Sequence, residues 1–234
     1  MITIDEKRIF ETITKRKPRS VALNGPEALF SKIQNSANNI TEKFDIPAYV
    51  IGDTCWGSCD LNTHAADILG AEILFNIGHT VMMETFGEKV VMINAYDDAS
   101  FDIVARKCAI GLKEQNYKAI SLLTDSQHLH QIANVKKIFE EYGYDIIIGK
   151  GKGQLKDAQI FGCEFYPARY GQKDADAYVF LGQSMFPSSG QRGQLLPLRA
   201  VSLSARPLRG GGEAVRAGPA ARNGATSALP RPRA

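Results

Sequence analysis

Two ten-residue stretches decide the fold: residues 71–80 read AEILFNIGHT, and residues 175–184 read ADAYVFLGQS. Both are apolar runs of strand length that end in a glycine followed by two polar residues. A constant offset of 104 residues aligns the two stretches position by position. The chain therefore contains a domain-sized internal repeat.

The same offset aligns two cysteines. Cys59 and Cys163 each stand nineteen residues before the glycine of their stretch. Cys59 follows a predicted strand and turn, and a helix is expected to start near Asp60, whose N-terminal dipole would favour the thiolate. Taken singly, each cysteine is equally consistent with a buried apolar role. The shared offset favours a metal or cluster held between the two copies.

The predicted fold class is α/β, with repeated parallel-sheet domains and flanking helices. Short β-branched runs alternate with helical stretches, and this rhythm is typical of parallel sheets covered by helices. Strands are expected at residues 21–24, 48–52, 71–77, 90–94, 120–124, 145–149 and 177–182, and helices at 27–43, 61–69, 101–114 and 128–142.

We place a first repeat domain at residues 1–98, a second at 99–186 and a tail at 187–234. The tail is rich in Arg, Ala, Gly, Pro and Ser, and it has no aromatic residue after Phe186. This composition predicts disorder. Before the tail, 15 Lys outnumber 5 Arg, so the abrupt change favours a foreign or out-of-frame end. A genuine basic tail that binds a partner is the alternative.

Charge and hydropathy exclude several classes of function. Residues 1–185 carry 20 Lys and Arg against 24 Asp and Glu, whereas residues 186–234 carry eight Arg and one acid. The folded part is thus mildly acidic, and no direct nucleic-acid partner is expected. The N-terminus lacks a secretion signal and no apolar run spans a membrane, so we expect a cytoplasmic protein without a membrane partner.

The other two cysteines, Cys55 and Cys108, are interpreted as structural residues. Cys55 is interpreted as a small turn residue, although a spare ligand or a redox partner remains open. Cys108 lies four residues from Val104 and from Leu112, which predicts a core position on a helix. The cysteine spacing differs from that of a zinc ribbon and is closer to an iron–sulfur site with ligands from several domains.

Three motifs carry a family resemblance. Residues 52–60 read GDTCWGSCD, residues 69–72 read LGAE and residues 76–80 read NIGHT. Together they resemble the GD-x-x-YGACD…LGAD…HYGHS signature of the 2-(3-amino-3-carboxypropyl)histidine synthase family in its archaeal form. Trp56 and Ser58 depart mildly from the usual Tyr and Ala. That family performs the first step of diphthamide synthesis.

The resemblance extends over about residues 18–186, since residues 21–27 look like the family's opening strand and turn. Residues 159–163 and 176–182 resemble its second-domain pattern. The resemblance implies three related α/β domains around a 4Fe–4S cluster, with Cys59 and Cys163 as metal ligands. Residues 187–234 contain no cysteine, so the chain is expected to be truncated before the third domain, which leaves its activity open.

The resemblance also implies a reaction. S-adenosylmethionine would be cleaved to a 3-amino-3-carboxypropyl radical, which adds to a histidine of translation elongation factor 2, and the enzyme would be a homodimer. We expect Gly78, His79, Gly182 and Gln183 to lie at strand ends and to hold the amino-acid part of S-adenosylmethionine. The alternative is that the glycines only serve tight turns and that His79 is a buried, hydrogen-bonded side chain.

Two other functions compete with this interpretation. A quinolinate synthase-like enzyme also resembles a three-domain fold with three cysteine ligands, but the motif at residues 52–60 favours the diphthamide enzyme. The second alternative is a truncated, non-catalytic scaffold that holds no cluster. Iron and sulfide analysis after anaerobic reconstitution separates a cluster protein from a scaffold.

Overall fold

A computed structural model describes most of the chain. The described residues are 1–53, 55–58, 60–79, 87–161, 164–170, 174–183, 199–204 and 215–217. In chain order the first elements are β1 (Ile2–Ile4), α1 (Glu6–Arg16), β2 (Val21–Asn24), α2 (Phe30–Phe44), β3 (Ala48–Val50), α3 (Thr63–Ile68), β4 (Ile73–Ile77), β5 (Val90–Ile93) and β6 (Ala95–Asp97). They are followed by α4 (Asp102–Lys113), β7 (Ala119–Thr124), α5 (Ile132–Glu141), β8 (Asp145–Ile148), α6 (Tyr166–Tyr170), β9 (Ala177–Leu181), β10 (Arg199–Leu203) and β11 (Val215–Ala217).

The two repeats build sheets of the same strand order. The first sheet runs β3-β2-β4-β5, and the second contains β8-β7-β9-β10. All of these neighbours pair in parallel. In each repeat a short 3₁₀ helix follows the first parallel strand and leads into a longer α-helix. The predicted α/β fold with parallel sheets is confirmed.

Backbone hydrogen bonds match between the repeats. The N–H of Gly78 donates to the carbonyl of Ile93 at 2.8 Å, and the N–H of Gly182 donates to that of Leu203 at 3.1 Å. These bonds tie the end of the third strand to the end of the fourth in each sheet. The internal repeat read from the sequence therefore has an equivalent in the hydrogen-bonding pattern.

Apolar side chains from both faces of each sheet form the cores. On one face of the first sheet, α1 and α2 bury Ile9, Ile13, Ile33 and Ile40. The spacing of these residues places them on one side of each helix. Each such side chain contributes about 1.5–3 kcal/mol through burial. The central strands are covered on both faces and consequently read as continuous apolar runs.

The structure differs from the sequence expectation in the region 187–234. Residues 199–203 form β10, which pairs in parallel with β9 and buries Val201 and Leu203. β11 then pairs antiparallel with β10. The expected disorder thus does not extend to these strands, because the backbone of β10 pairs with the edge of β9 while Val201 and Leu203 join the core. Apart from Ser204, the remainder of the expected tail lies outside the described residues.

A two-stranded ribbon joins the repeats. β1 pairs antiparallel with β6, and β6 ends at Asp97, just before the expected domain boundary at residues 98 and 99. The ring of Tyr96 in β6 makes an edge contact with the ring of His130 at a centroid distance of 5.6 Å. Within the described residues, no helix combines the length and apolar character needed to cross a membrane.

Candidate functional site

Cys59 and Cys163 lie outside the described residues, but the segments on either side of them are described. In the first repeat, the N–H of Ile51 donates to the carbonyl of Leu23 in β2 at 2.9 Å. In the second repeat, the N–H of Ile160 donates to the carbonyl of Thr124, the last residue of β7, at 2.8 Å. Each segment leading to a cysteine therefore starts at the carboxyl edge of its own sheet, where open α/β sheets bind ligands.

Asn24 anchors the first of these segments. It is the last residue of β2, and its buried side-chain amide donates to the carbonyls of Ile51 at 3.2 Å and Asp53 at 2.8 Å. Its Oδ1 accepts from Nδ2 of Asn62 at 3.0 Å. A single buried amide thus connects the strand end to both sides of the segment that carries Cys59. No motif in the sequence points to Asn24, which reads there as the polar end of an apolar strand.

Cys55 lies at the centre of a second group of bonds. Its Sγ lies 3.3 Å from the carbonyl oxygen of Gly57 and 3.0 Å from that of Asp60. It accepts from Nδ2 of Asn76 in β4 at 3.3 Å and lies 3.6 Å from Nδ1 of His79. The thiol is buried and engaged on several sides, which agrees with a structural role rather than that of an open ligand.

His79 follows Gly78 at the end of β4 and therefore sits beside the Cys55 group. Burial lowers the pKa of His79, and the nearby carboxylate of Asp60 partly opposes that shift. The imidazole is accordingly neutral at pH 7, with one nitrogen able to donate and one able to accept. Gly78 has a φ of +84°, a conformation that favours glycine.

Gly182 and Gln183 occupy the equivalent place after β9. A Cβ at Gly182 would lie 2.4 Å from the ring of Phe180 and 3.1 Å from Oδ2 of Asp125, so a larger residue would displace the buried Phe180 ring. Oε1 of Gln183 accepts from the Ser204 hydroxyl at 2.9 Å. Nε2 of Gln183 is buried without a hydrogen-bond partner among the described residues. This amide therefore has a donor available for a ligand.

Asp125 is an acid that no sequence motif marks. It directly follows β7, and its Oδ1 accepts from the N–H groups of Gln127 at 3.0 Å and His128 at 3.2 Å. Burial raises the pKa of Asp125 to about 7, and the nearby Asp97 shifts it in the same direction. The two backbone hydrogen bonds act against the shift. The carboxyl group of Asp125 is therefore partly protonated near neutral pH.

The described residues hold no group of three or more His, Cys, Asp or Glu side chains arranged to bind a metal ion. Cys108 lies in the core of the second repeat, and burial raises its pKa to about 12. Its thiol therefore stays protonated at physiological pH, and the predicted core role is confirmed. Cys59 and Cys163 remain the predicted ligands.

Comparisons with known proteins agree with this architecture. The chain is 24% identical over 188 residues to the 2-(3-amino-3-carboxypropyl)histidine synthase of Pyrococcus horikoshii, covering 80% of this chain and 54% of that protein. It is 25% identical over 164 residues to the enzyme of the same name from Methanocaldococcus jannaschii, covering 65% and 46%. It is 26% identical over 175 residues to subunit 1 of that enzyme from Gallus gallus, covering 72% and 40%. The chain thus spans about half the length, or less, of these relatives.

A solved structure shares the fold. The crystal structure of Dph2 from Pyrococcus horikoshii with a 4Fe-4S cluster superimposes with a TM-score of 0.76 at 22% identity, covering 88% of this chain and 60% of that one. A sequence model described as "Putative diphthamide synthesis protein" matches residues 25–200, a range that ends inside β10. These findings confirm the resemblance read from the motifs, including its archaeal type. The chain belongs to the diphthamide synthesis protein family.

Proposed function

We propose that this chain provides two cluster-binding repeats of a 2-(3-amino-3-carboxypropyl)histidine synthase. Cys59 and Cys163 would each bind one iron of a 4Fe–4S cluster. The observation that supports the proposal most strongly is that both cysteine-bearing segments leave the carboxyl edges of two sheets with the same strand order. Thiolates in equivalent places of two related domains fit a cluster that is shared between domains.

The chemistry of the available side chains fits that group. Cluster irons take thiolate ligands, and the sequence offers four cysteines. Cys108 is excluded by its burial in a core, and Cys55 by its bonds to the surrounding loop. Cys59 and Cys163 are therefore the candidates that remain. We propose that the further thiolate implied by the family comes from polypeptide outside these 234 residues.

The reaction would transfer a 3-amino-3-carboxypropyl group from S-adenosylmethionine to a histidine of translation elongation factor 2. When bound, the cluster supplies the electron that starts cleavage of S-adenosylmethionine. The chain itself would bind S-adenosylmethionine and orient it toward the cluster. The neutral His79 and the free Nε2 donor of Gln183 would hold the amino-acid part. Gly78 and Gly182 would permit the close-packed backbone turns that place these two side chains at the strand ends. We propose that the enzyme acts in the cytoplasm as a homodimer.

Anaerobic reconstitution with iron and sulfide tests the ligands. Because this chain is expected to supply only two of the thiolates, the reconstitution buffer contains dithiothreitol as an added thiol ligand. Under these conditions we expect the wild-type chain to retain iron and sulfide and to develop broad visible absorption. Cys59→Ala and Cys163→Ala should each lose most of this iron, because a thiolate ligand is missing. Cys108→Ala is the matched control and should retain it. Equal iron retention in all four proteins would refute the assignment, and no iron in the wild type would favour the scaffold alternative.

Binding of S-adenosylmethionine tests the strand-end residues. His79→Ala and Gln183→Ala should each weaken its affinity by roughly fivefold to tenfold, the effect of losing one hydrogen bond. Isothermal titration on the reconstituted protein provides the measurement. Unchanged affinity in the double variant would mean that the glycines and His79 serve only the local fold.

A further inference from the structure

We infer that Cys55 is a positioning residue whose buried thiol fixes the conformation of the segment that carries Cys59. It does so by joining the two ends of residues 55–60 to each other and to the sheet. That Cys59 is a cluster ligand rests on the proposed function. Cys55 would fix the segment in the protein without a cluster as well, so this role of Cys55 can be tested separately.

The first support is local. Cys55 is 1% exposed, and its Sγ contacts the carbonyl oxygens of Gly57 and Asp60, at 3.3 and 3.0 Å. The N–H of Asp60 also donates to the carbonyl of Gly57 at 3.1 Å. Oδ2 of Asp60 accepts from the N–H of Trp56 at 2.9 Å. Residues 55 and 60 thus lie on either side of Cys59 in the chain, and the Cys55 thiol joins them while the Asp60 carboxylate binds the neighbouring Trp56 N–H.

The second support is the connection to the sheet. Sγ of Cys55 accepts from Nδ2 of Asn76, a fully buried residue of the central strand β4. The same thiol lies 3.6 Å from Nδ1 of His79, three residues further along the chain. Because β4 pairs on both sides, with β2 and with β5, it is a rigid platform. The thiol therefore holds Cys55 in a fixed position relative to that strand.

The third support comes from the second repeat. The residue four positions before Cys163 is Gln159, which stands 104 residues after Cys55. Gln159 is also 1% exposed, and its Oε1 accepts from the N–H of Lys156 at 3.0 Å. Both repeats thus place a buried polar side chain four residues before the predicted ligand, and it is bonded to the backbone of its own segment. An amide is a poor iron ligand, so the shared role is to hold the backbone.

Substitutions at Cys55 separate hydrogen bonding from packing. Cys55→Val fills similar space but leaves the Asn76 amide and two carbonyls without this partner, which costs free energy in a buried site. Cys55→Ser keeps a donor and an acceptor. Cys108→Val is the matched control, because it makes the same change at a buried cysteine in the core of the second repeat.

Amide hydrogen exchange of the full chain without iron is the primary measurement. We expect exchange at Trp56 and Asp60 to rise about tenfold in Cys55→Val and to stay within about twofold in Cys55→Ser and Cys108→Val. Exchange in β2 and β4 should be unchanged in all three. Unchanged exchange at Trp56 and Asp60 in Cys55→Val would overturn the inference. An equal rise throughout β2 and β4 would also overturn it, because Cys55 would then serve general packing.

Release of iron to a chelator links the segment to the cluster. The reconstituted Cys55→Val protein should release iron about tenfold faster than wild type, and Cys55→Ser should restore the slow rate. If Cys55→Ser loses iron as completely as Cys59→Ala, Cys55 is itself a ligand and the positioning role is refuted. If the wild type takes up no iron, the proposed function fails, while the exchange measurement still decides the role of Cys55.

Discussion

Shortening Leu203 to alanine should destabilise the second repeat strongly. Leu203 is fully buried at the end of β10, in the same core as Leu181 and Val179 of β9. Leu203→Ala removes three carbon atoms from a packed site and leaves a cavity, which typically costs about 2–5 kcal/mol. For a domain of about 100 residues, a loss of about 3 kcal/mol lowers Tm by roughly 12–24 °C.

Thermal and urea unfolding followed by far-ultraviolet circular dichroism measure this effect. Ile103→Ala is the control, because Ile103 lies in the same repeat but is 74% exposed on α4. We expect it to change the free energy of unfolding by no more than about 0.5 kcal/mol. A chain ending at residue 204 should be more stable than one ending at residue 198, because only the former retains β10.

An equal, small effect of Leu203→Ala and Ile103→Ala would refute the reasoning. It would mean that β10 contributes nothing to the core and that residues 187–234 are dispensable, as their composition alone suggests. The comparison therefore tests directly whether the second sheet needs its fourth parallel strand.

Three further predictions concern single side chains. Because the folded-state pKa of Asp125 is raised to about 7, the folded chain binds more protons than the unfolded chain between about pH 4 and 7, and stability falls as pH rises through that window. Asp125→Asn should remove about 2–4 kcal/mol of this fall in urea titrations, and parallel pH profiles would contradict the shift. Cys108, with its pKa raised to about 12, should react with iodoacetamide at neutral pH only after unfolding, as mass spectrometry will show; rapid labelling of the folded chain would exclude its burial. Asp176→Ala should speed amide exchange of Lys118 and Ala119 about tenfold, because Asp176 accepts from both N–H groups, and Asp176→Asn should have a smaller effect; unchanged exchange would mean that these bonds are weak.

All seven predicted strands are present in the structure, and the clearest sequence signals belong to those that are buried on both faces. β4 and β9 read as uninterrupted apolar runs that end in glycine, so composition alone reveals them. The elements that escaped prediction carry weaker signals. α1 has few apolar residues among its charges, although Asp5 caps its N-terminus with a bond to the N–H of Arg8. β10 was obscured by the Arg- and Gly-rich composition around it.

The candidate site was predictable where it repeats and unpredictable where it depends on distant contacts. The common offset predicts Cys59 and Cys163 as ligands from the sequence alone, and their role stays a prediction. Asn24 and Asn76, by contrast, appear in the sequence as polar interruptions of strands. Their role depends on bonds to residues 21 to 38 positions away in the chain. The raised pKa of Asp125 likewise depends on enclosure and on Asp97, neither of which a sequence pattern displays.

The position of β10 in the sequence determines when the second sheet can be completed during synthesis on the ribosome. The first sheet is complete once β5 has been synthesised, whereas β9 must wait for a partner that ends 22 residues later, at Leu203. At about 5–20 residues per second, the apolar edge of β9 stays open for about 1–4 s. Open edges recruit strands from other chains. Variants that weaken β10 should therefore lose yield through aggregation during synthesis, even when the protein that does fold is adequately stable.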